Sequence, residues 1–215
     1  MAAVARARLL VPVVAVPRGV GGSDDDPHRH TGEGAGGSGK PMAGRSGTIT
    51  TDMSAIVLTA PDGQRAFPVF TSVASLLAWN PAARPSPVTS SQAAQGAVAQ
   101  RCDVLVLDCG SDRERILRPS MVWALAQQRD WLPAHLDPFV GQALIRATAD
   151  EEDVVDCVGQ DEPSEAGVLR VVLSLRPGLD AGRVQALATR IGERIATDGE
   201  ARARIDGLSF TIRQA

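Results

Sequence analysis

The sequence predicts an α/β (α+β) protein: a mixed β-sheet packed with helices, followed by a carboxyl-terminal strand–helix–strand module. Three observations predict it. Short apolar runs such as Leu105–Leu107 sit between turn signals, as buried strands do. Between them lie amphipathic segments with clear starts, at Thr71-Ser72, at Pro119 and at Asp137-Pro138. The last fifty residues run alternating apolar, helical, alternating apolar. The 215 residues are about 44% apolar, enough for a core, yet they include no tyrosine, four phenylalanines and three tryptophans. Val, Leu, Ala and Ile must fill the interior.

Leu9–Val16 reads as a buried strand entered from a short helix that includes Val4. Arg6 and Arg8 before this run give it the look of a signal peptide. Pro12 interrupts the run and no small-x-small site follows, so a secreted product is not expected. Pro17–Thr51 is rich in Gly, Ser and Asp and nearly devoid of apolar residues after Val20. It is expected to be a disordered insertion between two strands, because it buries too little to offset its ordering entropy. Ser54–Ala60 and Arg65–Phe70 form a hairpin about Pro61-Asp62-Gly63. Pro68 lacks a donor, which places the second strand at an edge or an irregularity. A helix follows, with Val73, Leu76 and Leu77 as its expected buried stripe, and Asn80-Pro81 ends it.

Pro81–Pro87 reads as a Pro-rich passage leading to a helix near Ser91–Arg101. Asp103–Asp108 is apolar on both faces, a central strand. Ile116 and Leu117 add a short strand. Pro119 opens a helix carrying Met121, Val122 and Leu125, with Trp123 expected in the core. The next helix, from Asp137-Pro138, presents Phe139, Val140, Ala143, Leu144 and Ala147. Residues 150–167 read as a linker with a short strand at Val154–Val158. In the final module, Leu169–Leu175 and Leu208–Ile212 alternate as strands around a helix capped by Asp180. The expected organisation is therefore a domain over 1–149, a linker over 150–167 and a module over 168–215.

The net charge is −3, and no basic patch interleaved with aromatics is present, so nucleic acid is not an expected partner. Lys40 is the only lysine; the arginine bias reflects GC-rich codons rather than a binding surface. No stretch reaches the roughly 20 apolar residues that span a bilayer, and a cytoplasmic chain is expected. Cys102 and Cys109 bracket one strand, too far apart for a disulfide, and free thiols are expected.

LLVPVVAV at Leu9–Val16, PVFTSVASL at Pro68–Leu76 and RPSMVWALAQ at Arg118–Gln127, followed by Trp131 and Pro133, together resemble the SseB family. The resemblance is to its short branch in high-GC Gram-positive bacteria. It implies an amino-terminal SseB-type domain and a smaller carboxyl-terminal region. It implies no established activity and carries over no catalytic residue. The chain departs from the family pattern in a shortened amino terminus and in the length of the Gly/Asp-rich insertion.

Several motifs invite chemical readings. Gly34–Lys40 (GAGGSGK) fits the first seven positions of a P-loop, but Pro41 stands where a magnesium-binding hydroxyl belongs, and no strand precedes it. No nucleotide is expected there. LVLDCGSD (Leu105–Asp112) resembles the nucleophile strand of haloacid-dehalogenase-like phosphatases. Gly110 occupies the second acidic position, so a strand end and a Gly-Ser turn are expected. His28 and His30 are two potential ligands where a structural zinc site needs about four. His135 has no evident partner and reads as a surface histidine. Cys109 has no visible base.

No catalytic, cofactor-binding or metal residue is therefore assigned, and no cofactor is expected. The expected function is a non-enzymatic cytoplasmic interaction or regulatory module with a protein partner. Its candidate contact residues are Phe70, Thr71, Ser72, Trp131 and Pro133. Phe70 faces opposite Phe67 and Val69. It is core if the sheet is covered on both faces, the reading favoured here, and a contact residue if one face is open. The alternative is a small-molecule enzyme using the loop after Asp108.

Overall fold

The computed structural model describes residues 1–17 and 51–215. The Pro17–Thr51 insertion, with its P-loop-like GAGGSGK and the His28/His30 pair, lies outside the described residues save for its two end positions.

A short helix, α1 (Ala2–Ala5), leads into β1 (Arg8–Pro17). β1 pairs antiparallel with β2 (Thr51–Ala55) on one side and β5 (Arg84–Thr89) on the other. A second sheet has the order β3 (Leu58–Thr59), β4 (Arg65–Val69), β6 (Val104–Leu107), β7 (Arg115–Leu117). β3 and β4 form the expected hairpin over Leu58–Thr59 only, because Ser54 and Ala55 of its expected first strand pair with β1 instead, and β4 runs parallel to β6. Leu10 and Phe70 exchange two backbone hydrogen bonds of 2.9 Å, joining the two sheets.

Proline placement follows from hydrogen-bond parity. Val69 turns its carbonyl to Asp108 at the end of β6, so Pro68 faces the opposite side. There the two-residue β3 has already ended. The passage over Pro81–Pro87 corrects the sequence reading: half of it is strand β5. Leu10 spends its backbone groups on Phe70, so its cross-strand neighbour Pro87 points away from β1, as does Pro85 two residues earlier. Both prolines put their missing donors on an outer edge, where a sheet tolerates them.

α3 (Ser90–Ala99), closed by a Thr89/Gln92 capping box, and α4 (Pro119–Ala126) cover one face of the second sheet. Phe67, Val69, Leu105 and Leu107 meet Ala93, Ala97, Val122 and Leu125 there. α2 (Val73–Trp79) belongs to the other side, where Phe70, Leu76 and Ala83 form a smaller cluster. The expected stripe on α2 reduces to Leu76. Val73 and Leu77 are 48% and 41% exposed, because a helix of two turns over a sheet corner buries one row only.

The carboxyl-terminal part is a three-stranded sheet, β10 (Gly207–Gln214), β9 (Val168–Leu175), β8 (Val154–Asp161). The expected strand–helix–strand unit is present: β9 and β10 are parallel and flank α6 (Ala181–Thr197), capped by Asp180. The region over 150–167 is more structured than a linker. β8 pairs with β9 along its length, and Gly159 packs under Leu169 and Leu144. α5 (Pro138–Thr148) joins α6 over this sheet, Val140 and Leu144 meeting Leu173, Leu187 and Ile191. A further helix, α7 (Gly199–Arg204), capped by Asp198, fills the connection that the sequence left unassigned. Among the described residues no helix is long and apolar enough to cross a membrane.

Candidate interaction cleft

The FTS stretch and Asp108 explain each other. Thr71 donates its backbone N–H to Asp108 Oδ1 (2.9 Å) and its hydroxyl to Oδ2 (2.7 Å). Ser72 is the N-cap of α2, accepting from the Ser75 N–H (3.0 Å). Asp108 is buried and sits at φ +47°, a left-handed conformation that Asp tolerates. Its carbonyl closes the turn by accepting from the Ser111 N–H and hydroxyl. Both carboxylate oxygens of the residue best placed for chemistry are thus engaged in fixing the strand-to-helix corner. Cys109, beside it, has its thiol pushed above the usual range by burial and then by the Glu114 carboxylate. That disfavours the thiolate a nucleophile needs. The three cysteines are free.

Replacing Thr71 by Val is expected to destabilise the chain by about 1–3 kcal/mol. It keeps the backbone donor but leaves Asp108 Oδ2 without its partner in a buried site. Urea denaturation followed by circular dichroism checks this; Thr71→Ser, which keeps the hydroxyl, is expected to lose much less.

RPSMVWALAQ receives the carboxyl-terminal part of the chain. Arg118, the N-cap of α4, makes no side-chain cap of its own. Asp206, 86 residues on from Ser120, does that work: Oδ1 accepts from the Ser120 N–H (2.8 Å), and Oδ2 from the Ser120 hydroxyl (2.9 Å) and Arg118 Nε (2.8 Å). A carboxylate at the positive end of a helix is favourably placed. Gly167, at φ +93°, lies against this cluster. A Cβ there would come within 2.9 Å of both Asp206 Oδ2 and Arg118 Cδ.

A second tie lies beside it. Arg204 donates to Asp137 Oδ2 (2.8 Å) and Glu200 Oε2 (3.0 Å). Its guanidinium carbon lies 4.9 Å from the Trp123 ring centroid and 4.3 Å from that of Phe139. Arg204 and Asp137 are both buried.

Around Asp206 opens a cleft of about 310 Å³. Trp131, Pro133 and His135 line it together with Asp161, Pro163 and Gly167. Trp131 is half-buried and anchored by donating its indole N–H to the Ser120 hydroxyl (3.0 Å). His135 is no simple surface histidine: its side chain is 25% exposed and Nδ1 faces Asp161 Oδ1 at 3.8 Å.

The sequence-predicted contact residues therefore fall in two places. Trp131 and Pro133 share the cleft. Thr71 and Ser72 are exposed at the start of α2, beside the exposed Val73 and Leu77. Phe70 follows the core reading favoured from the sequence and drops out of the contact residues: its side chain is fully buried against Leu76 and Trp79, because the sheet is covered on both faces, so it offers nothing to a partner. Asp206, Arg204, Ser120 and Asp137 were missed as a group. Asp137 was legible only as a helix start, and nothing local marks Arg204 or Asp206.

The fold and this clasp define a mixed α/β protein whose carboxyl-terminal strand–helix–strand unit is tied to the first helix beyond its amino-terminal sheets. A family model, the SseB protein N-terminal domain, matches residues 1–124, more than half of the chain. The chain belongs to the SseB family, and the match ends inside α4. No curated protein matches the chain.

Proposed function

We propose that this SseB-family protein is a non-enzymatic cytoplasmic interaction module that receives a protein partner at the Trp131–Pro133 cleft. The observation that carries the reading is the state of Asp108. An acid held on both oxygens by Thr71 serves the fold of the corner, whereas the cleft presents an anchored indole, two proline rings (Pro133 and Pro163) and a rim of charge. A rigid aromatic anchored by a hydrogen bond and open on one side is the kind of residue that dominates a protein interface. Thr71 and Ser72, with Val73 and Leu77, form a second contact area.

The test places a photo-reactive residue at Pro133, or at Gly63 as a control, and irradiates the chain in its native host. A discrete cross-linked protein from the Pro133 position alone supports the reading. Trp131→Phe, which keeps the ring but not the indole donor, is expected to reduce its recovery modestly, and Trp131→Ala at least tenfold, the equivalent of about 1.4 kcal/mol. Equal labelling from both positions, or labelling indifferent to Trp131→Ala in a folded chain, rejects it. Turnover of a metabolite abolished by Asp108→Asn favours the enzyme reading instead.

A further inference from the structure

We propose that β10 is a self-association edge, through which two copies of this chain pair antiparallel about Phe210 to make one continuous sheet. The proposal goes beyond the cleft and does not depend on it.

A strand with an unpaired row of N–H and C=O groups templates another strand unless it is blunted. Several edges here are blunted. β5 turns Pro85 and Pro87 outward; β3 and β7 have only two and three residues. β8 carries a register break between Val154 and Asp156, a glycine at 159 and the acids Asp156 and Asp161. β10 has no proline and no register break, and its one glycine (Gly207) and one charge (Arg213) lie near its two ends. It runs eight residues, GLSFTIRQ, with β9 on one side and no described strand on the other.

Its parity fixes what the free edge offers. Ala215 donates its N–H to the Leu175 carbonyl, so Arg213, Thr211 and Ser209 also turn toward β9. Leu208, Phe210 and Ile212 then turn their N–H and C=O groups outward.

A second copy fits this row better than an arbitrary strand, because the row is self-complementary. With Phe210 opposite Phe210 of the second copy, Leu208 meets Ile212 on the helix-covered face and Ser209 meets Thr211 on the other. Apolar and hydroxyl pairs of these kinds stabilise antiparallel ladders. Arg213 falls opposite Gly207, well away from its counterpart, whereas sliding the register toward Arg213 brings two like charges together. A one-residue slip puts apolar side chains on the wrong face. The pairing is isologous and closes at two chains. The helix above does not obstruct it: α6 sets Gly192 over the Phe210 ring, with Ala188 and Ala196 one turn to either side.

Sedimentation equilibrium of the full chain tests the mass, and hydrogen exchange at low and high protein concentration locates the contact. The expected results are a species of twice 22.5 kDa and amides of Leu208, Phe210 and Ile212 that exchange more slowly at high concentration. Ile212→Pro removes an outward donor and none that bonds β9, and Ile212→Lys places a charge on a side chain already 40% exposed. Each is expected to weaken dimerisation at least tenfold with an unchanged circular dichroism spectrum. A chain that stays at 22.5 kDa, amides that exchange alike at both concentrations, or a dimer unaffected by both variants overturns the proposal.

Discussion

Replacing Phe70 by Ala is expected to lower stability by about 3–5 kcal/mol, the cost of removing a buried aromatic ring and leaving a cavity. Phe70 has no exposed surface, and its ring lies 5.3 Å from that of Trp79, tilted by 38°. It also carries the backbone bridge to Leu10, the link between two sheets. The side chain packs beneath α2 while the backbone stitches β4 to β1, so little nearby can collapse into the space. In a chain of this length the melting temperature should fall on the order of 10 °C. Trp79 supplies a local reporter, since its emission should move to longer wavelength in the folded variant. An unchanged midpoint in a urea titration would show that the corner tolerates the loss and would return Phe70 to the surface.

Arg204→Ala is expected to cost a similar amount, about 3–5 kcal/mol, because it leaves the buried Asp137 charge uncompensated. The aromatic sandwich of Trp123 and Phe139 is emptied as well. The effect belongs to the pair. Arg204→Met combined with Asp137→Asn keeps volume and removes both charges. It should therefore recover a large part of the loss, as buried ion pairs often exchange for neutral residues at little cost. Asp137 also caps α5 by accepting from the Phe139 N–H, a role that Asn can fill. Thermal melts of the single and double variants separate the two terms. A double variant no more stable than Arg204→Ala would place the energy in the packing of the guanidinium rather than in its charge.

These residues mark the boundary of what the sequence discloses. The hairpin, the central strand from Val104, the caps at Ser72, Asp137 and Asp180 and the parallel β9–α6–β10 unit were legible because each rests on local periodicity or one turn. β5 was not, because three prolines between 81 and 87 outweigh any strand signal until the free edge is known. β8 was half seen: its acids and glycine look like a linker when the apolar face of α5 is not there to meet it. Phe67 and Phe70 were separable by alternation, but whether Phe70 met α2 or solvent depended on how many faces the sheet has covered. The contacts of Asp206 with Ser120 and of Arg204 with Asp137 span 86 and 67 residues. No window of sequence contains such a pair, and the motif RPSMVWALAQ showed kinship without showing what it grips.

The Asp206 contact has a consequence for the order in which the chain matures. The first turn of α4 exposes donors that no nearby side chain satisfies, and the carboxylate that meets them is made 86 residues later. During synthesis the amino-terminal sheets and their helices therefore leave the ribosome with the Arg118 guanidinium and the Ser120 N–H still lacking their carboxylate. Domains made first ordinarily fold first. Here the earlier part can assemble its core but reaches its final stability only when β9 and α6 have formed and the turn before β10 swings Asp206 into place. The carboxyl-terminal module thus acts as a late-arriving fastener, and a nascent chain stalled before residue 206 carries an unfinished helix.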